Sequence, residues 1–362
     1  MSATYGNYFR ITIFGESHST GIGVVIDGVP AGVTLDFDAI QKEMNRRAPG
    51  NNPFSTPRKE GDVPEIQCGV FEGKTTGTPI CAVIHNTNTR SQDYKPEVLR
   101  PSHADYSGMV RYNGYNDYRG GGHFSGRLTA LLVFAGAIAK QILAEENIEI
   151  YAHIGNVGSV KDKSFQEMHF DREKLRGLKV QTLPVLDETK GLEIEQEILA
   201  AKERMDSVGG SVEAMICGLP AGLGSPFFES VESRIAHMLF SVPAVKAVEF
   251  GIGKMFAELR GSQANDSFCL NDGIVQTRTN HNGGINGGIT NGMPVVVNTT
   301  IKPTPSIGMT QNTVNIKEMK EVQFETHGRH DPCIVQRAVP VVEAALAIVA
   351  LDLILEGKTY AG

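Results

Sequence analysis

The chain has 362 residues, 41% of them hydrophobic and 21% charged, with a formal net charge of −7. That composition is ordinary for a globular protein, and the acidic balance argues against nucleic acid as a general partner. The opening MSATYGNYFRITIFGESH lacks the basic start and long apolar run of a secretory signal, and no stretch reaches the ~20 unbroken apolar residues of a membrane helix. Five scattered cysteines without a CxxC pair fit reduced thiols rather than a zinc ribbon. The expectation is a cytoplasmic protein with no membrane partner.

In chain order, Tyr8–Phe14 and Val24–Asp27 read as strands, Asp36–Arg47 as an amphipathic helix and Ile80–His85 as a strand. Arg127–Glu146 follows as a helix that is apolar nearly all round its first half. Ile148–His153 is a strand, Leu192–Val208 an amphipathic helix, and Ser211–Cys217, Val245–Gly251 and Pro294–Ile301 are strands. Pro340–Glu356 closes the series as a second apolar helix, with Pro340 in its first turn and Gly357 as its stop. Helices without a polar face are buried, so the pattern predicts an α+β fold in which two central helices are enclosed between sheets. An internal echo accompanies it. Gly28-Val29-Pro30-Ala31-Gly32 and Gly218-Leu219-Pro220-Ala221-Gly222 each follow a strand and precede a helix, through either an ancient duplication or a shared turn solution. No low-complexity linker divides the chain, which reads as one domain over 1–362 with long polar loops at 49–63, 85–105 and 280–292. Loops of that length tend to be functional or disordered.

Several stretches carry chemistry. RGGGHFSGR (Arg119–Arg127) puts bare backbone ahead of a helix, with Ser125 as N-cap. It reads as an anion or flat-cofactor site or as a tight turn into a buried helix. GESHST sets His18 at a strand end, where a histidine suits acid–base work or a plain hydrogen bond. RPSHADY offers Arg100, Ser102, His103 and Asp105, and HGRHDPC offers Arg329, His330 and Asp331. HNGGINGGITNG adds bare backbone, as a ligand cradle or a mobile loop, and KPTPS places Lys302 and Ser306 on a stiff turn. Two apparent nucleotide motifs fail on spacing: Gly73-Lys74-Thr75 is one residue short of a P-loop counted from Gly69, and GIGVVI lacks the third glycine of a dinucleotide fingerprint. No HExxH or helical ligand pair supports a metal site.

GESH, RPSHADY, DYRGGG, GGINGG, KPTPS and GRHDPC…RAVPVVEA occur in this order across almost the whole chain. In this combination the sequence resembles the chorismate synthase family. The resemblance implies a β-α-β sandwich, a homotetramer, and a lyase that acts on a carbon–oxygen bond to phosphate. It further implies the small-molecule substrate 5-enolpyruvylshikimate 3-phosphate, converted to chorismate by anti 1,4-elimination in the last step of the shikimate pathway. The cofactor it implies is reduced FMN, with NADPH as the reductant source in some members. By the same resemblance His18 protonates the leaving phosphate, His103 protonates the reduced flavin, and Asp331 takes a proton on the flavin N5 side. His123, Phe124, Ser125, Pro243, Ala244, Gly287, Lys302, Pro303, Thr304, Pro305, Ser306 and Arg329 bind the flavin, and Arg47, Arg100 and Arg127 the phosphate of substrate or NADP. Guanidinium forks suit such anions. Both histidines are expected to be cationic, through anionic neighbours that raise their pKa, and the glycines of RGGG and GGINGG to lie against flavin and substrate.

The sequence departs from the family pattern at Ser19-Thr20 after GESH, at His123, Gly126 and Leu128 within RGGGHFSGRLT, and at Pro53. His123 replaces an arginine, with Arg58 available to compensate, and Pro53 removes a candidate NADPH contact, which favours an external reductant. A non-catalytic flavin-binding relative and a metal-dependent hydrolase built on His18, His103, His330 and Asp331 are the competing readings.

Overall fold

The computed structural model describes residues 3–50, 61–87, 94–168, 171–325 and 331–360. Its architecture follows from two helices, Thr129–Glu145 and Val335–Tyr360, whose sequences leave no continuous polar face. Both have the length and hydropathy of a membrane span, yet 78% and 94% of their apolar windows are buried within the protein. They run side by side in the same direction. Near their starts, Arg47 bonds Thr129 Oγ1 and Arg337 bonds the Arg47 carbonyl, while near their ends Lys358 pairs with Glu146. They pack against each other at Gly136, where a Cβ would collide with Ala344 of the facing helix.

Two five-stranded antiparallel sheets enclose the pair. The first has the order Thr4–Tyr5, Arg10–Gly15, Gly21–Asp27, Ile80–His85, Glu65–Cys68. The second has the order Val245–Phe250, Val295–Ile301, Gly210–Cys217, Glu149–Val157, Val160–Lys161. Side chains alternate along each strand. Ile11, Val24 and Ile84 of the first sheet and Ile154, Val212 and Val297 of the second therefore join Leu131, Phe134, Ile138, Val342 and Leu346 of the helices in one continuous core. The shorter helices Phe37–Arg47 and Val231–Ser241 complete this layer. The outer face of the second sheet is covered as well. Tyr151, Met215 and Val296 pack on Phe165, Leu175 and Leu178, and the fully buried His153 lies 3.0 Å from Asp162 and 2.8 Å from Glu213. Burial opposes charge on that imidazole, but the two carboxylates outweigh it and raise its pKa.

The expected strands are all present, with ends shifted by a few residues. Three expectations need correction. The last helix begins at Val335, so Pro340 lies inside it and Gly357 does not end it; enclosure by neighbouring elements holds the helix past both residues. The helix expected at Leu192–Val208 runs over Glu188–Glu203, because Asp187 caps its start at Thr189 N. Residues 280–292, expected as a long polar loop, contain a short hairpin, Ile285–Asn286 with Ile289–Thr290.

The internal echo is structural. Gly28, Gly32, Gly218 and Gly222 all have positive φ, which favours glycine at each turn. In the first half Gly32 N donates to Thr75 O, Val33 N to Thr75 Oγ1, and Thr75 Oγ1 to Pro30 O. In the second, Gly222 N donates to Thr290 O, Leu223 N to Thr290 Oγ1, and Thr290 Oγ1 to Pro220 O. The same three bonds, each reached from the central strand of its sheet and followed by a helix, favour duplication over a shared turn.

Since overpacking a close-fitted core costs about 1–3 kcal/mol, Gly136→Ala is expected to destabilise the chain by that order, measured by chemical denaturation. Unchanged stability would mean that the helix crossing adjusts freely.

Candidate active site

The site lies where the two central helices begin, and each sheet delivers loops to it. From the first sheet comes Gly15–Gly21, which carries Ser17 and His18. Ser17 N donates to Gly122 O, and Gly121 N to Ser17 Oγ, so this loop is tied directly to the glycine run. The His18 ring rests on Gly120, where a Cβ would collide with the imidazole, while a Cβ on Gly122 would collide with the Asp117 carbonyl. The bare backbone of RGGG thus accommodates the protein's own histidine and chain. His18 is only 9% exposed. Its Nδ1 lies 3.1 Å from Ser17 Oγ, and Tyr94 meets its ring edge-on at 5.3 Å.

Asn86 ties the His18 loop, through Glu16 O and Ser19 O, to a buried cation cluster. Arg47, at the end of Phe37–Arg47, and Arg127, at the entry to the first central helix, both pair with the carboxylate of Asp62, which is fully buried. Asn86 Oδ1 accepts from Arg127 Nε at 3.1 Å, and Thr129 Oγ1 lies 3.2 Å from Arg47 Nε. Burial alone would raise the Asp62 carboxyl pKa, but Arg47 and Arg127 hold it below the usual range. For Arg47, burial and repulsion from Arg337 and Arg127 outweigh the attraction of Asp62 and pull the pKa down to about 10. Arg337 also pairs with Asp331 at 2.7 Å, which brings Asp331 to the same cluster. Arg100 donates to Asp105 and to Gly120 O, both at 2.6 Å, and stacks over Tyr94.

The second lobe adjoins through Arg100–His103. His103 Nδ1 lies 3.1 Å from the Pro101 carbonyl, so Nδ1 carries the proton, and Nε2 accepts from Ser306 Oγ at 3.0 Å. Burial and the positive charges of Arg100 and Lys302 push its pKa down to about 4, against the weaker pull of Asp105. The expectation of a cationic His103 is therefore corrected for the chain alone: its near neighbours are mainly cations. Lys302 Nζ donates to Ser102 O and Oγ, Lys302 N to Ala244 O, and Ser207 Oγ to Thr304 O. Ala244, which follows Pro243, has φ of 75°. Thus His103, Ala244, Lys302, Pro303, Thr304, Pro305 and Ser306 form one group.

Other expected residues are placed differently. Ser125 Oγ accepts from Arg127 N and caps a short 3₁₀ turn ahead of the helix, as the sequence suggested. His123 is exposed and its Nδ1 bonds the Gly15 carbonyl at 2.9 Å. Phe124 turns toward Tyr112, with ring centroids 6.2 Å apart. Gly287 sits at the tip of the 280–292 hairpin, facing open space, while its neighbour Gly288 bonds Val231 N. Of GGINGG, Gly283, Gly284 and Gly288 lie against the chain's own backbone, Gly284 for instance against Pro294 O. Arg329, His330, Pro53 and Arg58 lie outside the described residues. The apparent P-loop tail is a tight hairpin, Val70–Phe71 with Lys74–Thr75, whose Thr75 hydroxyl is used by Pro30. Among the described residues no group of three or more metal-ligating side chains is assembled; His330, which the competing hydrolase reading also used, lies outside them.

Sequence reasoning missed Asp62, Asn86, Tyr94 and Arg337. Asp62 and Tyr94 stand in loops without periodicity, and their roles depend on partners far away in the chain. Only Arg337, just inside a helix that otherwise turns apolar, carried a visible signal.

A family model described as chorismate synthase matches residues 9–355. A chorismate synthase of Thermococcus kodakarensis is 45% identical over 359 residues, covering 99% of both chains. One of Methanocella arvoryzae is 46% identical, covering 98% of this chain and 94% of its own. A crystal structure of chorismate synthase superposes with a TM-score of 0.76 at 31% identity, over 98% of this chain and 93% of that one. These matches span both sheets, both central helices and every loop that meets at the cation cluster: the chain belongs to the chorismate synthase family of shikimate-pathway lyases.

Proposed function

We propose that this chain eliminates phosphate from 5-enolpyruvylshikimate 3-phosphate by anti 1,4-elimination, giving chorismate, with reduced FMN as cofactor. The observation that supports this reading is the buried Arg47–Asp62–Arg127 cluster, tied through Asn86 to the loop that carries His18 and through Arg337 to Asp331, with Arg100 linking the His103 segment to Gly120 beside His18. The substrate bears a phosphate and two carboxylates, and a site rich in buried guanidinium suits it.

The residues also fit a flavin mononucleotide. Thr304 Oγ1 is buried without a hydrogen-bond partner, Lys302 offers a cation two residues before it, and Gly287 faces open space. When bound, the reduced cofactor would supply electron density to the departing C–O bond and take up the substrate's hydrogen. The chain's own residues do the rest. Arg47 and Arg127 hold the anionic groups, with Asp62 fixing both guanidiniums in place. His18 delivers a proton to the leaving phosphate, and its contacts with Ser17, Gly120 and Tyr94 set the direction of the ring. His103 holds a proton at Nε2 once an anion lies beside it, and Asp331, oriented by Arg337, accepts one at a carboxylate oxygen. His123, exposed and bonded to the Gly15 carbonyl, stands where the family pattern has an arginine. We extend the reading to a single working domain over 1–362 in a cytoplasmic homotetramer. The exposed apolar hairpin of Phe268, Leu270, Ile274 and Val275 is the kind of surface that subunit contact would bury. The reading also includes an external source of reduced flavin rather than the chain's own use of NADPH.

The direct test is an anaerobic assay of chorismate formation with chemically reduced FMN, with oxidised FMN, and with oxidised FMN plus NADPH. Turnover with prereduced flavin alone is expected; turnover with NADPH would overturn the external-reductant part, and flavin binding without turnover would overturn the catalytic reading. General acids contribute about 10²–10⁴-fold, so His18→Ala and His103→Ala should each lower kcat by at least about 10²-fold, and a loss below tenfold would remove the assigned role. For His103 the sign is fixed by its surroundings. A folded pKa of about 4 leaves the ligand-free ring neutral from pH 5.5 to 8, so its NMR signals should not titrate there. Binding of an anion raises that pKa and draws in a proton, detectable as buffer-dependent binding enthalpy that disappears in His103→Ala.

A further inference from the structure

Two cysteines stand opposite each other on the outer face of the first sheet. Glu65–Cys68 is its edge strand, and a bulge between Ile66 and Cys68 brings Cys68 into register with Cys81 on Ile80–His85. In an unbroken register Gln67 would face Cys81 and Cys68 would face Ile80 instead. Ala82, next to Cys81, points into the core, so Cys81 points outward by the alternation of the strand. Directly opposed residues of antiparallel strands have Cα atoms about 4.5–5.5 Å apart, within the range of about 4.4–6.8 Å spanned by disulfides. Cys68 is exposed and Cys81 half-buried. The Cys68 thiol makes a weak 3.5 Å contact with the Pro79 carbonyl.

We propose that Cys68 and Cys81 are an oxidation site, forming a reversible cross-strand disulfide when the protein meets hydrogen peroxide. The exposed Cys68 thiolate attacks the peroxide: an S–O bond forms, the O–O bond breaks, and hydroxide leaves to be protonated to water. The Cys81 sulfur then attacks the Cys68 sulfur, forming S–S as S–O breaks and a second water departs. The two thiols lose two electrons and two protons in all, and one peroxide becomes two waters. The other thiols are placed against this chemistry. Burial pushes the Cys217 and Cys333 thiols up to about 12, far from the thiolate form that reacts, and Cys269 faces Gln276 rather than a second cysteine. The bond would tie the sheet edge to the strand that runs into the site, since His85 O and Asn86 Oδ1, at its end, both accept from Arg127.

The test is thiol mapping on the reduced full-length protein. It is exposed to peroxide without denaturant, alkylated, digested and analysed by mass spectrometry. The expected result is one linked peptide pair joining Cys68 to Cys81, with two of the five thiols lost. Dithiothreitol should restore them, Cys269→Ser should leave the link intact, and Cys68→Ser should abolish it while melting at the wild-type temperature. Full alkylation of both cysteines after peroxide would overturn the proposal. So would recovery of Cys68 only as sulfinate, or only bonded to a second chain.

Discussion

The close parallel contact of the two central helices is the constraint on which the rest depends. Neither helix has a polar face to present to water, and Gly136 against Ala344 brings their backbones together. A pair of that kind must be wrapped on both sides, and a twisted antiparallel sheet on each side does so. The carboxylates buried in the last helix, Glu343 and Asp352, are consequently paired. Glu343 is fully buried and is held by Arg46 at 2.7 Å and Lys140 at 2.6 Å. Burial would raise its pKa, but these cations drive it far down.

Parallel alignment also fixes where chemistry can occur. Two helix N-termini point to the same end, each with a partial positive charge, and side-by-side dipoles of the same sense leave that end favourable to anions. Arg47 and Arg127 are buried there around one carboxylate, at an electrostatic cost visible in the lowered pKa of Arg47. A negative charge beside the two guanidiniums lowers that cost.

The duplication explains how one end of the molecule collects so many loops. Thr75 and Thr290 secure equivalent G-x-P-A-G turns with the same bonds. The strand that follows Thr75 ends at His85–Asn86, and the one that follows Thr290 ends at Ile301–Lys302. Both of these strand ends serve the site: Asn86 holds Arg127, and Lys302 holds Ser102. Two copies of one supersecondary unit thus deliver Asn86 and Lys302 to the loops that carry His18 and His103.

The sequence by itself determined the enclosed apolar helices, the strands, the repeated turn and the family, because these depend on local periodicity and on motifs whose order can be read along the chain. It also marked His18, His103 and Asp331 as candidates. Only the tertiary structure decided what the motifs do to one another. The RGGG glycines looked like a ligand cradle, yet it is the His18 imidazole and the chain itself that come too close for a side chain there. His103 looked cationic from its neighbour Asp105, yet burial beside Arg100 and Lys302 keeps it neutral. Asp62 gave no signal at all, because its meaning comes from Arg47 and Arg127, which are brought to it by separate elements. Close approach, desolvation and charge pairing are set by distances across the fold, and residue order along a chain does not encode them one residue at a time.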